Sequence, residues 1–504
     1  MRRVETRLRR LGKLLPQRGR GTSRRLVEGC PPLISRGHPS VGAQAPTPPL
    51  AEEELFRCLR KGVLAALLLS TPAFAQQAQA PAPYTRAIAA GYKAAILCSG
   101  VFIAGRTPEQ VEALELSGIY PEYEKIVPTL PAEVNRIAGM VTVRFEPNLP
   151  PRVAAYRPET GCTNLPIGAA VPPIGTTPPA PAPADPRPWP LGDALPKIAF
   201  PAIPAVERAF AGPYQGRTTG VVILRGNRMI AERYAPGFGP FTANRTWSVA
   251  KSITGTLVGI AVKDGAVRTE APARIPEWDQ PADPRRAITL DQLLRMASGL
   301  HSATAGNRTD AIYFGGTSVT EEATHWPLEV KPGTRFRYAN NDILLAMRSL
   351  RAALGEAAYR DFPQRALFGP LGMRHTVAEV DWRGNYVSSS QIWTTARDLA
   401  RFGLLYLNDG VWNGTRLLPE GWRSYVTRPS GPQPASGFGY GATFWLMRGT
   451  PGVPDDAFSA NGNRGQFVVI VPSRGIVIVR RGEDAGNSGF DIGKFTADVL
   501  AEVK

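Results

Sequence analysis

The sequence predicts an α+β fold in which an antiparallel β-sheet is covered by helices, preceded by a small α+β domain. Three observations carry that prediction. Residues 220–225 and 229–234 are two strand-like runs around Gly226-Asn227, the signal of a β-hairpin. Residues 466–471 and 476–479 form a second strand pair around Pro472-Ser473-Arg474-Gly475. Helical periodicity fills the stretch between the pairs, and a last helix over 491–503 puts Ile492, Phe495, Val499 and Val503 on one face. Strands at both ends of a region with helices between them close most simply into one helix-covered sheet. The 504 residues suffice for two or three domains and a large core, and no fixed-period repeat is present.

From the N-terminus, residues 1–54 are rich in Arg and Pro and lack apolar periodicity. They read as a basic extension, as sequence upstream of a true translation start near Val63, or as an organelle transit peptide. Residues 55–75 read as a secretory signal peptide: Arg57, Arg60 and Lys61 precede an apolar run over 63–69, and Ala73-Phe74-Ala75 offers a small-x-small site before Gln76. The apolar run is shorter than the roughly 20 residues that span a bilayer. Cys58 stands before it, so no lipoprotein anchor is indicated. The expectation is a periplasmic or secreted protein with no stable membrane anchor after cleavage.

The chain carries 59 Lys and Arg against 42 Asp and Glu, a net charge of +17, which on its face favours an anionic partner. About half of the excess lies in the leader, where residues 1–75 hold 14 basic and 5 acidic residues. The rest is mildly basic, and no nucleic-acid partner is expected. Of four cysteines only Cys98 and Cys162 follow the cleavage site. An exported chain can join such a pair in a disulfide, the alternative being two independent buried thiols.

Residues 76–170 read as the small N-terminal domain, with a helix over 84–95 and strands near 140–145 and 153–156. Residues 171–197 are dominated by proline and alanine and read as an extended linker. Residues 198–504 carry the chemistry. Ser248 and Lys251 open a helical pattern in which Ala250, Ile253, Leu257 and Ala261 recur at three- and four-residue spacing. A serine at a helix N-terminus keeps its backbone N–H free for an oxyanion, in the positive field of the helix end. A buried lysine one turn on can lose its proton and take one from the hydroxyl.

With Tyr338-Ala339-Asn340 downstream, introduced by Pro332-Gly333, the sequence resembles the family of class C β-lactamases, D-alanyl-D-alanine peptidases, related esterases and 6-aminohexanoate-dimer hydrolases over residues 200–504. Residues 288–294, 297–300 and 367–373 resemble its scaffold segments. The resemblance implies a β-lactamase/transpeptidase-like fold with an all-helical lobe. It implies Ser248 as acylated nucleophile, Lys251 as base, Tyr338 in proton transfer and Asn340 holding lysine and substrate. Tyr406-Leu407-Asn408 is a decoy, because it ends a helical pattern over 398–407 and runs into Asp409-Gly410. The family's Lys-Thr-Gly strand reads Ala460-Asn461-Gly462-Asn463 here, so the cation that binds a lactam or peptide carboxylate is missing. Arg464 is a nearby candidate to replace it. By family position Gly462 permits close approach and the Asn463 N–H is the second oxyanion donor. That strand, with Trp247 before the serine, resembles the 6-aminohexanoate-dimer hydrolase and esterase branch.

The expected protein is therefore an exported serine hydrolase acting on a small-molecule ester or linear amide. The alternatives are a β-lactamase or D-alanyl-D-alanine carboxypeptidase, and a catalytically silent binding protein. No cofactor and no metal are expected. The sequence lacks a Gly-x-Ser-x-Gly elbow and a His-Glu-x-x-His motif, and only His301, His325 and His375 follow the leader. Specificity is assigned to the loop over 302–326, with Asp310 and Tyr313 as pocket wall.

Overall fold

The computed structural model describes residues 82–170, 184–195, 200–302, 309–429, 431–486 and 489–503. The basic extension, the signal peptide, Cys30, Cys58, residues 171–183 and 196–197 of the proline-rich stretch, and residues 303–308 lie outside them.

An alanine-rich run starting at Pro83 forms the first helix, α1 (Pro83–Phe102). Its proline occupies the first turn, where a missing N–H costs nothing. Next comes α2 (Pro108–Leu114), whose N-terminus is closed by a capping box between Thr107 and Gln110, and then the single turn α3 (Pro121–Glu124). Four short strands follow, β1 (Ala132–Asn135), β2 (Met140–Val143), β3 (Arg152–Arg157) and β4 (Gly161–Asn164), as an antiparallel meander in that order. A disulfide joins Cys98 on α1 to Cys162 on β4, with Cα atoms 6.0 Å apart at a sequence separation of 64. Closing a loop of that length removes about 4 kcal/mol of unfolded-chain entropy.

In the second region, α4 (Pro204–Ala211) precedes the hairpin β5 (Thr218–Arg225) and β6 (Arg228–Tyr234). Then come α5 (Val249–Lys263), the short α6 (Asp310–Tyr313), α7 (Asn340–Leu354) and α8 (Ala396–Leu407). Five strands follow: β7 (Gly439–Tyr440), β8 (Trp445–Leu446), β9 (Phe458–Gly462), β10 (Gln466–Val471) and β11 (Ile476–Gly482). The chain closes on α9 (Ile492–Glu502). The seven strands pair antiparallel in the order β7-β8-β9-β10-β11-β5-β6, so the first hairpin completes a sheet begun by the last strands.

Side-chain alternation explains why these strands read as unbroken apolar runs. Val222, Leu224, Val468, Ile470, Val477 and Val479 enter one core with α5 and α8. Their neighbours Val221, Ile223, Val469, Val471, Ile476 and Ile478 enter a second core with α4 and α9. Both faces are covered, so neither position in the two-residue period is polar.

The N-terminal segment shares the first of these cores. Gly91 of α1 abuts the Phe314 carbonyl so closely that a Cβ there would lie 1.8 Å from the oxygen. Tyr92 packs on the Phe314 ring at 4.3 Å. Ser99 Oγ donates to the buried Glu379 carboxylate (2.5 Å), and the Cys162 N–H donates to it at 3.1 Å. The second half of the proline-rich stretch is also tied down. Trp189 is buried, and Arg401 on α8 donates to the Pro190 and Gly192 carbonyls at 3.0 and 2.5 Å. Residues 184–195 therefore strap the helix layer, a role that their proline content did not disclose. Among the described residues no helix is long and apolar enough to cross a membrane.

Candidate active site

Ser248 is the N-cap residue of α5, so its backbone N–H is one of the donors a helix start leaves unpaired. Trp247 sets up the turn with a left-handed backbone (φ 50°), which costs a non-glycine residue about 1 kcal/mol. Stacking offsets that strain: the buried Arg245 guanidinium lies 3.8 Å above the Trp247 ring and donates to Ser390 Oγ at 2.9 Å.

Lys251, one turn along α5, is 1% exposed. Its Nζ reaches Ser248 Oγ at 2.9 Å, Asn340 Oδ1 at 2.5 Å and the Ser389 carbonyl at 2.9 Å. All three acceptors are neutral. Burial, helped by the nearby Arg245 charge, pulls the ammonium down to about 7. Lys251 also sits 5.0 Å from the centre of the Tyr338 ring. The Tyr338 hydroxyl hydrogen-bonds the Ser248 side chain, and burial raises its pKa above the ordinary phenol value. Tyr440 and Trp445, at ring distances of 6.0 and 5.3 Å, fix the Tyr338 ring from behind. The Ser389 carbonyl is steadied in turn, because Ser389 Oγ is hydrogen-bonded to the Tyr313 hydroxyl at 2.5 Å.

These groups open on a cavity of about 1000 Å³ lined by Trp247, Ser248, Tyr338, Asn340, Gly462 and Asn463, with Lys251 beneath it. Asp310 and Tyr313 of α6 are also on its wall. Gly462, last residue of β9, runs so close to the serine turn that a Cβ would lie 2.3 Å from the Thr246 carbonyl oxygen and 3.2 Å from the Ser248 nitrogen. Only glycine fits there. The carbonyl of an ester or amide laid along β9 would be edged by the Ser248 and Asn463 backbone, and Asn461 Oδ1 is buried on the same wall without a hydrogen-bond partner. Tyr406 of the decoy triplet is a core residue, its hydroxyl 2.7 Å from Thr256 Oγ1.

Arg464, named from the sequence as a candidate to replace the missing lysine, turns away from the cavity. It is 7% exposed, pairs with Glu483 at 3.0 Å, and donates to the carbonyls of Leu114 (2.8 Å), Ser117 (3.0 Å) and Gly118 (3.2 Å). The turn beside Asn463 is thus tied to the end of α2. Arg464→Ala would strand a buried carboxylate and three carbonyls, and is expected to destabilise the fold by about 3–5 kcal/mol. Thermal unfolding checks this, and an unchanged Tm would refute the clamp.

Sequence reasoning missed the contribution of the N-terminal segment: Tyr84, Tyr120 and Glu122 line the same cavity. Nothing in their local pattern marks them. It also missed Arg245 and the Ser389 carbonyl, although the Ser388-Ser389-Ser390 run stands out in an apolar region. Among the described residues no cluster of three or more His, Cys, Asp and Glu could hold a metal ion.

The beta-lactamase family model matches residues 204–496, which excludes the N-terminal segment. A 6-aminohexanoate-dimer hydrolase of Paenarthrobacter ureafaciens is 30% identical over 224 residues, covering 41% of this chain and 56% of that protein. The chain thus matches little more than half the length of that curated relative. A solved Bacillus anthracis chain given the same name aligns at a TM-score of 0.50 and 20% identity, over 61% of this chain and 82% of that one, a likeness of fold. A family VIII carboxylesterase structure aligns at 0.49 and 16% identity, over 60% of this chain and 98% of that one.

Proposed function

This chain belongs to the β-lactamase family of serine hydrolases, and from that premise we propose that it cleaves an ester or linear amide through an acyl-enzyme on Ser248. The observation that carries the reading is a buried lysine, held near neutrality in its titration, 2.9 Å from the serine hydroxyl. Neutral Lys251 has two N–H bonds to give, and Asn340 Oδ1 and the Ser389 carbonyl accept them. The remaining lone pair then faces Ser248 and takes its proton as Oγ attacks the substrate carbonyl. The oxyanion forms against the Ser248 and Asn463 N–H groups. Its collapse breaks the bond to the alcohol or amine, which leaves with a proton relayed through Tyr338. Water then repeats the sequence and frees Ser248.

The inward turn of Arg464 supports ester or linear-amide substrates over lactams or peptides bearing a recognition carboxylate, because among the described residues no side chain lining the main cavity is basic. Asn461 Oδ1 would accept the N–H of a linear amide. The leader's apolar run and the Cys98–Cys162 bridge support export to an oxidising compartment.

Parallel assay of p-nitrophenyl acetate, a 6-aminohexanoate oligomer and nitrocefin tests the reading. The first two are expected to turn over, with nitrocefin slower by roughly a hundredfold in kcat/KM for want of a charged partner. Nitrocefin as the fastest substrate would make the chain a lactamase. No turnover and no covalent labelling would make it a binding protein.

A further inference from the structure

Behind the catalytic cavity lies a second one, of about 570 Å³, which adjoins it: Tyr120, Trp247 and Asn463 are walls of both. Its roof is the N-terminal segment, through Tyr92, Gly118, Ile119, Pro121 and Glu124, with Ala485 and Gly486 on the other side. The charged groups on its lining are already engaged. Arg464 is held by Glu483 and three carbonyls, and the Glu124 carboxylate accepts the Gly118 N–H at 3.0 Å. Apart from Asn463, the rest of the lining is aromatic, aliphatic or glycine, with Tyr92, Tyr120 and Trp247 supplying the rings and Ile119, Pro121 and Ala485 the aliphatic groups. The roof is fixed rather than loosely draped, since Arg464 grips the backbone at 114–118 and Tyr123 donates to Asp310 at 2.5 Å. The family model begins at residue 204, so this roof lies outside the matched region.

We propose that this second cavity is an acyl-chain subsite, in which the N-terminal segment receives the distal apolar end of an extended acyl group whose carbonyl sits at Ser248. The inference rests on the acyl-enzyme reading given above. The acyl group is the part of the substrate that stays tethered to the serine through both steps, and Trp247, the residue before that serine, is a wall shared by both cavities. An apolar wall discriminates by chain length, because each methylene taken from water is worth roughly a fourfold gain in kcat/KM. The N-terminal segment then has a catalytic consequence without supplying a reacting group: it sets which acyl groups are turned over well.

The test is a chain-length series on the full-length protein, using p-nitrophenyl acetate, hexanoate and octanoate, with ethyl and octyl fluorophosphonates as labelling probes. The reading is the octyl-to-short ratio in each series, which a general loss of folded enzyme leaves unmoved. Gly486 has ordinary backbone angles and open space at its Cβ, the nearest atom being the Gly118 carbonyl oxygen at 3.7 Å. Gly486→Phe therefore fills the cavity, and Gly486→Ala fills it slightly. Wild type is expected to favour octanoate. Gly486→Phe should lower the ratio at least about tenfold, with Gly486→Ala between the two. A ratio that does not move in Gly486→Phe, in esters or in labelling, overturns the subsite and leaves Ser248 as nucleophile. Failure of both probes to label wild-type Ser248 overturns the acyl-enzyme reading, and the subsite falls with it.

Discussion

Ser248→Ala is expected to lower kcat by at least about 10⁴-fold and to abolish labelling by a fluorophosphonate, while leaving the fold intact. The size of the effect follows from removing the atom that becomes acylated, since the neighbouring serine hydroxyls are already engaged. Ser389 and Ser390 lie nearby, but Ser389 Oγ is committed to Tyr313 and Ser390 Oγ accepts from Arg245. The expectation of an intact fold has its own basis. Ser248 is the N-cap of α5, yet its side chain makes no capping hydrogen bond, so alanine removes no cap from that helix. Lys251 keeps two of its three acceptors. Near-wild-type Tm with no turnover would separate a chemical role from a structural one. Undiminished labelling of the variant, mapped by peptide mass, would move the nucleophile elsewhere.

The parts of this site that the sequence disclosed are those whose chemistry is local or periodic. Ser248 and Lys251 are one helical turn apart, and the apolar stripe behind them marks the helix that α5 turns out to be. The hairpin β5–β6 and the pair β10–β11 were readable because apolar runs flank turn residues. Their joining into one sheet was the simplest closure of two strand pairs. What could not be read depends on contacts between residues far apart in the chain. The 346 to 350 residues between Arg464 and its carbonyl partners leave no local trace, so a cation beside the third motif could not be distinguished from a substrate-binding one. Tyr120 lines the cavity from a segment far from Ser248 in sequence, held in place by Gly91 against Phe314 and by Arg464 against 114–118, contacts with no local signal. The proline count of residues 171–197 predicted extension, but Trp189 finds a place in the core that composition cannot reveal.

The pH profile of kcat/KM should show an acidic limb with its midpoint near 7, set by Lys251. The sign follows from which form works. The protonated amine has no lone pair and cannot take the Ser248 proton, so activity falls about tenfold for each pH unit below the midpoint and is level above it. Tyr338 is not the source of this limb: burial moves its phenol upward, so it stays protonated through neutral pH and serves to relay a proton to the leaving group. Burial is the main cause of the low lysine value and the Arg245 charge the second. Arg245→Gln should therefore move the midpoint to higher pH, since losing a neighbouring cation favours the ammonium. Lys251→Arg keeps the charge but cannot give up its proton, and is expected to cost about 10²–10⁴-fold in kcat. A lysine with an ordinary pKa would instead give a rate still climbing at pH 9. A profile flat from pH 5.5 to 8.5, or a Lys251→Arg variant with wild-type turnover, would remove Lys251 as the base even if Ser248 is acylated.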